Sequence, residues 1–148
     1  MTTRIVRIRD RALVNDHLLA FDLIDIVRVL DAYARDLKWC IFDLWSTGDP
    51  GTEWPSLDES TQRPGGLAVS WEQLVDLASR LSQVIDGIFC GHTGIPPTGE
   101  HVLERLVMSC PLVFEAVDST YWEVGFHDEK LVSVLQSVFR DVQVRRLD

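Results

Sequence analysis

DLIDIVRVLDAYARDLKWCIFDLWS, residues 22–46, changes its hydrophobic period halfway along. Leu23, Ile26, Val27, Leu30, Tyr33, Ala34 and Leu37 recur three or four apart, the spacing of one helix face, and Asp22 is placed to cap that helix. From Lys38 to Ser46 the run is short, aromatic and apolar, as in a strand. Its alternate positions, Trp39/Ile41/Asp43/Trp45 and Cys40/Phe42/Leu44, are both mostly apolar, which predicts a central strand covered on both faces.

A second helix-to-strand unit follows. Ser70-Trp-Glu-Gln73 matches a capping box, in which the two side chains satisfy backbone N–H groups that a helix start leaves unpaired. Leu74, Val75, Leu77, Ala78 and Leu81 form its inward stripe, and residues 83–90 read as a strand. Residues 100–110 favour a short helix. Residues 112–117 and 121–126 flank Asp118-Ser-Thr120, which reads as a hairpin tip. Asp128 can cap a further helix with Leu131, Val132, Leu135, Val138 and Phe139 buried, and residues 141–145 close as a strand. With a short strand at residues 4–8, the order is β-αβ-αβ-(α)-ββ-αβ. The expected fold is α+β: one domain over residues 1–148, a mixed, mainly antiparallel sheet, and about three helices packed on it.

Composition sets the outer bounds. A chain of 148 residues, 46% hydrophobic and 25% charged, has enough apolar content for one core and too much for a disordered protein. No apolar run approaches a membrane span, and the first ten residues lack the apolar core of a secretory signal. Three widely spaced cysteines (Cys40, Cys90, Cys110) point to reduced thiols and a cytoplasmic setting. The net charge is −9, and residues 12–139 alone carry −13 because both ends are basic. Such a surface repels phosphate, so neither nucleic acid nor an anionic membrane is an expected partner. A basic protein is, and a homo-oligomer is also compatible.

The long Gly/Pro-rich loop at residues 47–67, with room for one helical turn near Ser56–Ser60, holds the strongest candidate for binding. It carries Asp49, Glu53, Asp58 and Glu59 with no base before Arg63, and Trp54 sits among them. Loops of about 20 residues are usually functional or mobile. Trp54 is either the anchor that tucks this loop onto the core or a contact residue for a partner. Trp39, Trp45, Trp71 and Trp122 are expected in or against the core.

Catalytic and metal signatures are sparse. The chain has no G-x-G-x-x-G, G-K-[ST], H-E-x-x-H or G-x-S-x-G motif, and no cofactor is expected. Cys90, His92, His101 and Cys110 are the residue types zinc prefers, but they lack the close pair that opens structural zinc sites, so neither zinc nor a disulfide is expected. Asp43 and Asp86, each in an apolar strand, could form a carboxylate pair for acid–base hydrolysis. The plainer alternative has them facing arginines or strand ends. His17 and His127 stand alone near element ends and are expected in solvent.

The run Val113-Phe-Glu-Ala-Val-Asp-Ser-Thr-Tyr-Trp-Glu-Val124, with Gln83-Val-Ile-Asp-Gly-Ile-Phe89, resembles segments of small acidic α+β bacterial immunity proteins, the cognate inhibitors of toxins. The resemblance implies a non-enzymatic protein-binding module that blocks a basic, nuclease-like toxin. The alternative is a small enzyme or ligand-binding domain with its site near Asp43, Asp86 and the 47–67 loop.

Overall fold

The computed structural model describes residues 2–15, 18–98 and 101–147. Its elements run β1 (Thr3–Ile8), α1 (Leu23–Ala34), β2 (Lys38–Gly48), α2 (Leu57–Thr61), β3 (Leu67–Val69), α3 (Trp71–Arg80), β4 (Leu81–His92), α4 (Leu103–Ser109), β5 (Leu112–Val117), β6 (Tyr121–Phe126), α5 (Lys130–Val138) and β7 (Val142–Leu147). The α+β class stands, with three corrections. The sheet is antiparallel throughout rather than mixed, with seven strands in the order β3-β2-β4-β5-β6-β1-β7. Among the described residues, five helices form instead of about three. In the 47–67 segment the helical turn expected near Ser56–Ser60 forms as α2, and the segment runs directly into the edge strand β3, so the element order exceeds β-αβ-αβ-(α)-ββ-αβ by one helix and one strand.

Local chemistry accounts for the helices. Asp22 caps α1 by accepting from Leu23 N, while Asp25 accepts from Asp22 N at 2.9 Å. The Asp22 carboxylate also receives Val84 N at 3.3 Å, which ties the helix start to β4. Ser70 and Gln73 exchange the two bonds of the capping box at 3.1 and 2.8 Å. Asp128 accepts from Lys130 N at 3.0 Å, although α5 begins a residue later than expected and Val138 faces solvent.

The sheet separates two cores. On one face, α1, α3 and α5 bury Leu23, Leu30, Leu74, Leu77, Leu131 and Leu135 against Trp39, Phe89, Phe114 and Trp122. On the other, α4 is the one described helix, setting Leu103, Leu106 and Val107 over Ile5, Cys40, Cys90 and Val113. The strand rows beyond α4 are therefore partly open.

A bulge in β2 overturns the expected alternation. Asp43 has φ +52, and the register with β4 shifts between Phe42 and Trp45. The extra residue moves Leu44 onto the three-helix face beside Trp39 and Ile41, away from Cys40 and Phe42. It also leaves Trp45 58% exposed, where the sequence pattern predicts a core residue. Leu44 N, freed from regular pairing, donates to Thr61 Oγ1 at 2.9 Å, and Thr61 is fully buried. Gly66 returns the chain to β2 with φ +69. A Cβ there would lie 2.5 Å from the Ile41 carbonyl oxygen, so only glycine fits.

Candidate functional site

The five loop residues share a neighbourhood but not a role. Asp49, Trp54, Asp58 and Glu59 line a shallow cleft of about 350 Å³ between the end of β2 and α2. Asp49 accepts from Gly51 N at 2.9 Å and shapes the turn. Asp58 accepts from Ser46 N at 3.0 Å and Ser46 Oγ at 2.8 Å, clamping α2 to β2. Trp54 is half-buried and packs on the three-helix core. Glu53 lies outside the cleft lining and accepts from Gln73 Nε2 of α3 at 3.2 Å. Glu59 is exposed, and its carboxylate receives no hydrogen bond from the described residues. The segment is therefore seated by Trp54, Asp58 and Thr61, while Asp49, Glu53 and Glu59 present charge outward. One cation does come near in space. Arg80 lies beside Gly51, already paired with Asp76 at 2.9 Å.

Asp43 and Asp86 do fall on neighbouring strands, with Asp86 paired opposite Trp45. Neither carboxylate is seen paired with an arginine among the described residues. Asp43 sits at the bulge 3.3 Å from His101 Nδ1, and the His101 ring stacks on Phe42 at 3.9 Å between centroids. Asp86 accepts from Asp118 N at 2.8 Å and fastens the hairpin tip. His127, expected in solvent, is half-buried with Nε2 on the Val107 carbonyl; His17 lies outside the described residues.

The open sheet face carries a charge row that the sequence does not announce. Glu115 on β5 stands opposite Ile88 and Glu123, and Glu123 stands opposite Arg7. Glu123 is buried and pairs with Arg7 at 3.0 Å and Arg145 at 3.6 Å; Arg145 also reaches Glu104 at 2.7 Å. Glu115 has no cation of its own among the described residues. Burial, and then the charges of Glu123, Glu104 and Asp86, push its carboxyl up to about 7. The next row holds Trp45, Asp86, Val117 and Tyr121, with Arg7 over the Tyr121 ring at 4.1 Å. A glutamate flanked by apolar residues in each hairpin strand was the available signal. Which side chains it would meet depends on strand order.

The thiols gather on the same face, further under α4. Cys40 and Cys90 are direct cross-strand partners, and all three cysteines are buried and free. Hydrogen bonding to Cys110 and Cys40, with burial, pushes the Cys90 thiol up, and the bond from Cys90 pulls Cys110 down. His92 and His101 do not join them. Among the described residues, no group of three or more His, Cys, Asp or Glu is arranged to hold a metal ion. No described helix is long and apolar enough to cross a membrane. Comparison with protein-family models, with curated proteins and with solved structures returns no match.

Proposed function

We propose that the chain is a non-enzymatic protein-binding module for a basic protein, of the immunity type that inhibits a toxin. The observation that carries this reading is the prefolded acidic segment. Trp54, Asp58 and Thr61 fix its backbone, so Asp49, Glu53 and Glu59 are held outward without an ordering cost at encounter. They are part of the chain's net charge of −9, and complementary charge speeds association. The partner would be isolated with the tagged chain from its native host and identified. Its binding kinetics would then be compared with those of an Asp49→Asn/Glu53→Gln/Glu59→Gln variant. Slower association that loses its salt dependence supports the reading; unchanged rates and salt dependence reject it.

One observation favours a second reading, a small hydrolytic enzyme. A left-handed, non-glycine Asp43, on the strand next to Asp86, lies 3.3 Å from His101 Nδ1, and strained backbone is often kept where it serves chemistry. Hydrolase activity lost in both Asp43→Asn and His101→Gln would support it over the first.

A further inference from the structure

A pocket of about 510 Å³ opens between the start of β2, the edge strand β3, the first turn of α3 and the segment after β4. Its size falls within the range of small-molecule sites. Half-buried Leu37 and exposed Ala68 and Pro96 contribute its open apolar surface, and the buried Trp39 and Trp71 rings pack at 5.1 Å.

Two polar groups in it are unspent. Lys38 and His92 are direct cross-strand partners at the start of β2 and the end of β4. His92 is only 6% exposed, and its Nδ1 accepts from Gly94 N at 3.2 Å. That bond assigns the ring proton to Nε2, which has no partner among the described residues. Burial, and then the Lys38 charge, lower the His92 pKa, so the ring stays a neutral donor near pH 7. The Lys38 ammonium is exposed and has no carboxylate partner among the described residues. Arg35, by contrast, is paired with Asp31, which also accepts from Trp71 Nε1 at 2.8 Å. The first turn of α3 adds the positive end of a helix dipole.

We infer that this pocket binds a small monocarboxylate with an apolar body, its carboxylate between Lys38 and the His92 Nε2–H and its body against Leu37, Ala68 and Pro96. Glu72 on the rim opposes more highly charged anions, which selects a single negative charge. The site is separate from the protein-binding reading, and neither depends on the other.

The test is an NMR titration of the whole chain with phenylacetate, following the His92 ring nitrogens and the Trp71 indole N–H. 2-Phenylethylamine and phenylacetamide serve as the cationic and neutral matches of similar shape. Saturable shifts at both residues with about millimolar affinity are expected for phenylacetate, with the other two about tenfold weaker or more. Lys38→Gln, an exposed substitution that preserves the fold, should weaken phenylacetate about fivefold or more. Overturning results would be no saturable shift up to about 20 mM phenylacetate, equal binding of the amine, or an unchanged affinity in the Lys38 variant.

Discussion

Glu115 and Glu123 stand directly opposite one another on β5 and β6, yet only Glu123 has cations to pair with. Like charges placed opposite in an antiparallel pair destabilise it, and here Glu115 relieves the conflict by holding its proton.

That relief is pH-dependent. The folded chain keeps a Glu115 proton that the unfolded chain releases in the ordinary carboxylate range, so this group's contribution falls as pH rises from there to about 7. Glu115→Gln should match the wild type near pH 4 and exceed its stability by about 1 kcal/mol at pH 8, a figure discounted for partial solvation. Urea unfolding at the two pH values reads the difference. A variant less stable at pH 8 would reverse the sign.

The two helix caps should differ in cost. Ser70→Ala removes a capping-box bond and should lose about 1 kcal/mol. Asp22→Ala also strands Val84 N at the start of β4 and should lose about 2 kcal/mol. Equal losses in denaturant melts would mean that the tie to β4 contributes nothing.

At the β2 bulge, backbone conformation should outweigh side-chain chemistry. Asp43→Gly suits φ +52 and should change stability by less than about 0.5 kcal/mol, whereas Asp43→Val should lose about 2 kcal/mol. Thermal unfolding of the pair checks this, and a tolerated valine would show that the bulge can move.

Within the acidic segment, seat and surface should separate. Trp54→Ala should lose about 2 kcal/mol of stability by removing packing, and Asp58→Ala about 1–2 kcal/mol by releasing Ser46. The Asp49/Glu53/Glu59 neutralised variant should stay within about 0.5 kcal/mol of wild type. Calorimetry on the three variants would expose any mixing of the roles.

The local grammar of the chain was legible. Caps at Asp22 and Ser70 and the turn at Asp118–Thr120 depend on neighbours a few residues away, and all three form as their residue types predict. What stayed hidden needed distant partners. Counting alternate residues through β2 assumes an unbroken pleat, so Asp43 could not be seen to turn Trp45 outward or Leu44 inward. Strand β3 is three residues long and exists because Ile41 and Trp39 offer it an edge. Asp58 read as a binding charge because Ser46, its partner, lies across α2 and the loop.

The placement of β1 between β6 and β7 has a consequence for how the chain matures. Thr3–Ile8 pairs with residues 122–126 and 142–147, so this strand enters the sheet only after the much later β6 and β7 have been made. Until then Ile5, Val6 and Ile8, all fully buried at the end, have no partners and form an adhesive segment. Arg4, Arg7, Arg9 and Arg11 interrupt and flank that segment, and their mutual repulsion keeps waiting strands on neighbouring chains apart. The basic residues in and around β1 thus have work to do during synthesis, before Arg4 and Arg7 settle onto Glu129 and Glu123.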